Sequence, residues 1–181
     1  MKWRVWCICA MMAGLALAGC DTRKAGEIMQ QKDSAHYYND SYGYALNYPA
    51  GWTKTTKGGE LILTSPDKKA CVMISASSQD PEYDDEAMRR TDALAHIEEE
   101  TLDMQEVSCD TSLIVGGFPA TDVVYTAEEV LSQSDAAERK GRQVLVYGED
   151  LVYDLDLIAR VEVFDAADAD FEVLLASFET K

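Results

Sequence analysis

The stretch RQVLVYGEDLVYDLDLIA, residues 142–159, decides the fold because it joins two alternating runs through one turn. In the second run, every other residue from Leu151 to Leu157 is large and apolar or aromatic, which is the two-residue period of a β-strand. Residues 148–150 supply the turn, so the two runs are predicted to form an antiparallel hairpin. A hairpin with a continuous apolar face needs a second layer to cover it.

Two segments, residues 84–104 and 164–181, carry helical patterns that could provide this cover. The first begins with three acidic residues, which the helix dipole favours in a first turn, and both repeat apolar residues at helical spacing. In the second, Asp165 or Asp168 is predicted to cap the N-terminus. The predicted apolar stripes are Ala87, Leu94, Ile97 and Met104 in the first helix and Ala167, Phe171, Leu174, Leu175 and Phe178 in the second.

Further alternating runs predict the remaining strands, and the polar residues 128–141 predict a loop. These strands are residues 42–48, 60–65, 70–78, 106–115 and 118–127. Strands joined by short turns, together with two main helices, predict an α+β protein with a mostly antiparallel sheet of six to seven strands.

Both ends of this pattern resemble one fold family. The opening YGYALNYPAGWTK, residues 42–54, resembles the aromatic-rich first strand of the PsbP-like fold, which ends in Tyr-Pro-x-x-Trp. The ending, residues 152–180, resembles its last strand and closing helix, including the pair Ser177-Phe178. The family includes the extrinsic photosystem II subunit, DcrB-like bacterial lipoproteins and a eukaryotic Ran-binding import factor. The resemblance implies an αβα sandwich over residues 39–181 and a non-enzymatic accessory or assembly role, and it transfers no functional residue.

The first twenty residues predict a secretory signal and a membrane anchor. A basic start is followed by an uncharged apolar run, residues 5–17, which is too short for a membrane span and fits a secretory signal, so residues 1–19 are predicted to be a signal peptide. The sequence Leu17-Ala18-Gly19-Cys20 resembles the lipobox of bacterial lipoproteins, which implies lipid attachment at Cys20. An ordinary signal peptide with a chance cysteine, or a short buried helix, is the alternative.

If Cys20 carries lipid, the following residues specify how the domain is held. Asp21 resembles the signal that keeps enteric lipoproteins in the inner membrane, so this membrane is favoured over the outer one, with the protein on its periplasmic face. Two or more acyl chains give stable anchoring. Residues 20–38 are predicted to be a lipidated flexible tether because they are mostly polar and lack hydrophobic periodicity.

The charge excludes some partners. The chain has 16 Lys and Arg against 33 Asp and Glu, and removal of Lys2 and Arg4 with the signal peptide leaves 14 against 33, a net charge of −19. Such a charge argues against binding nucleic acid and against lying flat on anionic lipid. It fits a basic partner or a divalent cation, and it fits equally a well-solvated surface without a specific ligand.

Residues that could carry chemistry are few. His96 could share a helix face with Glu99 and Glu100, but a zinc site usually needs three or four ligands, so an exposed helix face is the simpler interpretation. The acids at 165, 168 and 170 lack the glycine and spacing of a calcium loop. No catalytic motif is present, so we predict no enzymatic activity, no metal site and no cofactor.

Two pairs of residues remain as candidate features. Cys71 and Cys109 could form a disulfide in an oxidising envelope, or they could be two separate buried thiols. Tyr37 and Tyr38, at the junction with the tether, could form a partner surface, or they could belong to a tyrosine cluster that packs under a helix. The sequence thus favours a membrane-anchored envelope lipoprotein whose domain is a non-catalytic binding or assembly module for another envelope protein. The alternative is a protein that binds a small ligand or a divalent cation.

Overall fold

Strands predominate in residues 34–79, 85–130 and 137–180, which are the parts of the chain described by the computed structural model. The strands are β1 (Ser34–Asn39), β2 (Tyr44–Pro49), β3 (Thr53–Lys57), β4 (Glu60–Thr64), β5 (Ala70–Ser78), β6 (Thr101–Leu102), β7 (Gln105–Val115), β8 (Phe118–Ala127), β9 (Glu129–Val130), β10 (Arg139–Tyr147), β11 (Leu151–Arg160) and β12 (Glu179–Thr180). The helices are α1 (Glu86–Glu100) and α2 (Phe164–Ala176), and a 3₁₀ turn, Val161–Val163, precedes α2.

The main sheet has seven antiparallel strands in the order β3-β4-β5-β11-β10-β8-β7. The predicted hairpin forms the pair β10-β11 within it, and Tyr147 lies opposite Val152 beside the turn. A second sheet, β1-β2-β12, lies beside α2 in the larger core. This architecture confirms the predicted α+β fold with a mostly antiparallel sheet and two main helices.

One face of the main sheet packs against α2 and forms the larger core. Leu155 and Leu157 of β11 are fully buried on this face, as their alternation predicted. Complete burial of one such side chain stabilises a fold by roughly 1.5–3 kcal/mol. All five apolar residues predicted for the second helix are buried here: Ala167, Phe171, Leu174, Leu175 and Phe178.

The opposite face packs against α1 and forms a smaller core. Ala93 and Ile97, one helical turn apart, bury against residues of β8, β10 and β11. Ala87, predicted to lie on this stripe, is exposed in the first turn of the helix. The helix also ends earlier than predicted, because Thr101 adopts an extended backbone and donates a hydrogen bond from its hydroxyl to the Ile97 carbonyl, 2.7 Å away.

Three local features of the structure differ from the predictions, each for a physical reason. Residues 34–38, assigned to the tether, belong to β1, which pairs along its whole length with β2. The predicted loop 128–141 contains the start of β10, because the buried side chain of Arg139 interrupts the apolar alternation that would reveal a strand. Strand β3, with the sequence TKTTK, was not predicted, because all its residues are exposed and none is apolar.

The predicted cap of the second helix was also wrong. The helix follows the 3₁₀ turn directly, and its N-cap residue, Val163, makes no side-chain hydrogen bond. Asp168 lies inside the helix and accepts a hydrogen bond from Arg142 instead. In the described residues, neither helix has the length and apolar character needed to cross a bilayer.

Candidate functional site

Helix α1 covers only part of its face of the main sheet. Its contacts fall mainly on β7, β8 and β10, while β3, β4 and β5 continue the sheet on the other side. In β4 and β5 the residues that point toward α2 are buried, whereas those on the opposite face, such as Ile62 and Met73, are only half-buried. Among the residues that the structure describes, no element covers this half of the sheet face, beside the C-terminal end of α1.

This open half forms a cavity of about 450 Å³, which we call the open-face groove. Its apolar floor comes mainly from β4, β5 and β11, and charged residues stand at its rim. The lining residues are Lys57, Glu60, Ile62, Thr64, Lys68, Lys69, Ala70, Cys71, Met73, Glu100, Arg139 and Ile158.

The open-face groove is richer in basic side chains than the rest of the chain. Four of its lining residues are cationic and two, Glu60 and Glu100, are anionic. The complete chain has about twice as many acidic as basic residues, 33 against 16. One cation, Lys69, lies 3.3 Å from a carboxylate oxygen of Glu162 outside the groove. The rim of the groove thus carries both positive and negative side chains.

Two turns of the main sheet position the lysines at the ends of the groove. In the β4-β5 turn, the Ser65 hydroxyl donates to Asp67, 2.8 Å away, and Asp67 accepts from the Lys69 amide at 3.1 Å, which orients Lys68 and Lys69. At the other end, Lys57 precedes a Gly58-Gly59 turn. Gly59 has φ +97 and packs so closely on the Tyr42 ring that a Cβ would lie 2.8 Å from a ring carbon.

Arg139 is the buried cation of the groove, with 4% of its surface exposed. It is the first residue of β10, opposite Ala127 of β8 and Arg160 of β11. A guanidinium remains charged at any ordinary pH and offers a planar fork of donors that matches a carboxylate. Its position places a buried guanidinium beside Ile158.

A polar cluster lies under α1 beside the groove, formed by His96, Tyr125, Gln143, Asp154 and Asp156; we call it the Asp154 cluster. The His96 Nε2 atom lies 3.0 Å from an Asp154 carboxylate oxygen, and this hydrogen bond raises the pKa of His96 to about 9. His96 is therefore protonated at neutral pH, and it ties α1 to β11. Gln143 donates a longer bond, 3.4 Å, to the same Asp154 oxygen.

Asp156 is the buried acid of this cluster. Burial raises its pKa well above the usual value for a carboxyl group, and the neighbouring carboxylate of Asp154 acts in the same direction. The Tyr125 hydroxyl donates to Asp156 across 3.4 Å. Gly141 makes this contact possible, because a Cβ at that position would overlap the Tyr125 ring.

Both histidines of the chain form side-chain hydrogen bonds. Protonated His96 has no lone pair with which to act as a base, and His36 is hydrogen-bonded to Asn47 at 3.0 Å. Among the described residues, no three His, Cys, Asp or Glu side chains are grouped to hold a metal ion, so no observation favours the alternative of a divalent-cation site. The open-face groove, by contrast, combines a cavity of about 450 Å³ with an apolar floor and a charged rim.

The disulfide predicted between Cys71 and Cys109 is not formed. The two residues lie on β5 and β7, which are four strand positions apart in the main sheet. At about 4.8 Å between neighbouring strands, this separation is about 19 Å, whereas a disulfide needs Cα atoms within roughly 7 Å of each other. Local alternation cannot reveal strand order, so the sequence could not exclude the bond.

The predicted tyrosine surface is divided between two sides of one strand. Tyr37 and Tyr38 are adjacent in β1, so their side chains point to opposite faces. Tyr37 packs at the edge of the larger core, with its ring centroid 6.0 Å from that of Tyr44 and the Lys54 ammonium 5.0 Å above it. Cys20 and Asp21 lie outside the described residues, and their roles stay predictions.

Sequence reasoning did not identify the groove or the Asp154 cluster. One signal was present, because Asp154 and Asp156 alternate with leucines in YDLDL and so place two acids on one face of a strand. Nothing local indicated that α1 would leave half of that face open. The four groove cations are separated by up to 82 positions in the chain and show no motif.

Comparison with protein-family models and with curated protein sequences gives no match. Solved structures are similar in fold. The cyanobacterial PsbP protein (CyanoP) from Synechocystis sp. PCC 6803 has 14% identity and a TM-score of 0.60, over 82% of this chain and 93% of that one. LpqN of Mycobacterium tuberculosis has 13% identity and a TM-score of 0.57, over 86% and 96%. The Saccharomyces cerevisiae protein Mog1p has 8% identity and a TM-score of 0.56, over 82% and 95%. The chain thus has the PsbP-like fold.

Proposed function

We propose that this chain is a lipid-anchored protein of the bacterial cell envelope whose PsbP-like domain binds another envelope protein without catalysing a reaction. The lipid is attached to Cys20, and residues 20–33 connect it to the domain, which begins with β1. Asp21 favours retention in the inner membrane with the domain on the periplasmic face. Anchoring confines the domain and its partner to one surface, which raises their effective concentration.

The open-face groove is the observation that carries this proposal. A sheet face with half-buried apolar residues is normally covered, and α1 covers only the part over β7, β8 and β10. The remaining part combines an apolar floor with a charged rim, which is the usual composition of a protein interface. A partner segment seated there would complete the cover.

Two structures of similar fold support a binding role in the envelope. LpqN is described as involved in cell envelope biogenesis, and Mog1p is described as a Ran-binding protein. At 13% and 8% identity they share the fold alone with this chain, so they show only that the scaffold is compatible with such roles. The residues that would bind the partner must come from this chain's own surface.

Site-specific photo-crosslinking in the native membrane tests the proposal. A benzophenone amino acid replaces Thr64, which lines the groove, and in a control chain it replaces Thr56, an exposed residue of β3 on the opposite sheet face. We expect one reproducible protein adduct from position 64 that is missing from position 56. Equal adducts from both positions, or adducts only with abundant bystanders, would contradict the proposal.

A further inference from the structure

We propose that the Asp154 cluster is a pH-sensitive switch, which holds the C-terminal half of α1 on the sheet while Asp156 carries a proton and releases it when that proton is lost to water. This inference goes beyond the proposed function and does not depend on an envelope partner. It is carried by an excess of hydrogen-bond acceptors under α1.

The acceptors under α1 lack a donor. Among the described residues, Gln143 Oε1 and Asp154 Oδ1 are buried without a hydrogen-bond partner. Gln143 is 3% exposed and lies directly opposite Asp156 in the β10-β11 pair, so the two side chains share one face of the sheet. An ionised Asp156 could only accept hydrogen bonds, which would add a further acceptor to this group, whereas a protonated Asp156 is itself a donor. The geometry therefore favours the protonated acid.

The charges that face Asp156 favour the same form. Burial raises the pKa of Asp156 well above its usual value, and the carboxylates of Asp154 and Glu100 act in the same direction against the opposing effect of His96. His96 is already paired with Asp154 at 3.0 Å. The titratable groups that share this face are His96 and Glu100 of α1, Tyr125 of β8, Asp154 of β11 and Cys71 of β5, with Arg139 and Arg160 further along β10 and β11.

Helix α1 is the element that the proton controls. It buries only Ala93 and Ile97, whereas α2 buries five residues, so the polar contacts of His96 have a larger share in holding α1. A second buried carboxylate beside Asp154 is costly, and lifting the C-terminal half of α1 lets water reach both acids. Glu100 in this half lines the open-face groove, so the release also moves one wall of the groove.

The direction of the pH effect follows from linkage. A carboxyl group with a raised pKa in the closed state stabilises that state at low pH, and the effect is lost as pH rises. For Asp156 the loss begins above the ordinary value of 3.8, whereas His96 adds a loss of the same sign only above 6.5. Between these values Asp156 acts without His96, and each pH unit changes the ratio of closed to released α1 by up to about tenfold.

Hydrogen exchange of the backbone amides tests the switch on the full chain purified in detergent. Protection factors, which correct for the intrinsic effect of pH on exchange, are measured by mass spectrometry at about pH 5 and pH 6.5. We expect the protection of α1 to fall roughly tenfold between the two while α2 stays protected. Equal losses in both helices would overturn the inference, because they would reflect the stability of the whole domain and not a release of α1.

Two variants assign the effect to Asp156. Asp156→Asn keeps the size and a donor but cannot ionise, so the fall in α1 protection should be lost. His96→Gln is the matched control, because His96 stays protonated in both states below pH 6.5, so the fall should persist. A fall of equal size in Asp156→Asn, or its loss in His96→Gln, would overturn the assignment.

Infrared spectroscopy of the unchanged chain detects the proton without relying on a variant. A protonated carboxyl has a C=O stretch that is separate from the bands of a carboxylate. We expect such a band at about pH 6, where ordinary carboxyl groups are ionised, and its disappearance over the pH range in which α1 loses protection. Absence of the band at pH 6, or a band that persists after α1 is released, would overturn the inference.

Discussion

Single side chains fix how α1 lies on the sheet, and His96 is the clearest case. Its imidazole bonds Asp154 of β11 at 3.0 Å, which adds a polar contact to the apolar cluster that α1 shares with β11. The hydrogen bond raises the pKa of His96 from 6.5 to about 9. A group with a raised pKa in the folded state stabilises that state at low pH and loses this effect as pH rises.

The first prediction concerns the pH dependence of this contact. Since the pKa of His96 is 6.5 unfolded and about 9 folded, its contribution is complete below pH 6.5 and disappears as pH rises through about 9. His96→Gln should therefore lower the free energy of unfolding by about 1 kcal/mol at pH 6, a value reduced for the 44% exposure of the side chain, and by little at pH 10. Urea unfolding at both pH values measures this. An equal loss at pH 6 and pH 10 would show that the ion pair is not the source.

Gly141 illustrates how the absence of a side chain can position another residue. The Tyr125 ring occupies the space where a Cβ would lie, and its hydroxyl reaches the buried Asp156 from there. We expect Gly141→Ala to lower the free energy of unfolding by about 1–3 kcal/mol, because the ring must move out of a packed core. Thermal or chemical unfolding measures the change.

Another glycine provides a matched control for this prediction. At Gly51 an added Cβ would make an ordinary contact with Pro66, 3.6 Å away, so Gly51→Ala should be neutral or slightly stabilising. When Tyr125→Leu is already present, Gly141→Ala should lower the free energy of unfolding by much less, because the added Cβ no longer overlaps the tyrosine ring. Additive losses in that cycle would mean that the overlap with Tyr125 is not the cause.

A second charged group, centred on Arg142, joins two strands to α2 on the other face of the main sheet. Arg142 of β10 is buried and donates to Asp122 of β8, at 2.7 and 3.0 Å, and to Asp168 and Glu172 of α2, at 2.9 and 2.5 Å. One guanidinium therefore connects two strands and a helix. Removing it would leave buried carboxylates without their cation.

The stability of this junction gives a third prediction. Arg142→Ala should lower the free energy of unfolding by about 3–5 kcal/mol, because Asp122 and Asp168 would remain partly buried and unpaired. Glu172→Gln should cost less than about 1 kcal/mol, because that side chain is 58% exposed. Denaturant unfolding of the two variants measures the difference. Similar losses in both would contradict the assignment of Arg142 as the shared centre.

The elements that could be predicted from the sequence are those whose buried residues are apolar and recur at a regular spacing. The β10-β11 turn, the alternation of β11 and the stripe of α2 were correct because Leu155, Leu157 and Phe171 bury on one side of a regular repeat. Strand β3 was not predicted because all its residues are exposed. The start of β10 was not predicted because it begins with a buried arginine, which does not show the apolar alternation of a strand. The groove could not be predicted, since it depends on where α1 lies on the sheet.

We propose that the complete chain combines an N-terminal lipid signal with an acidic domain that carries the open-face groove. The proposed anchor gives a fourth prediction. Cys20→Ser removes the thiol that would carry the lipid, so incorporation of labelled palmitate should be lost and the chain should leave the membrane fraction. A variant at Cys71, which lines the groove, controls for loss of a thiol elsewhere and should label normally. Equal labelling of Cys20→Ser and the unchanged chain would contradict the anchor.

One measurement tests the central claim, that an envelope partner docks in the open-face groove. It is the yield of the partner adduct from a benzophenone at position 64 in native membranes, compared between Lys57→Glu and Lys54→Glu chains expressed at equal levels. Both variants have the same net charge and differ only in the sheet face that is changed. We predict that the adduct is largely lost in Lys57→Glu and kept in Lys54→Glu. An equal yield in the two variants would contradict the claim.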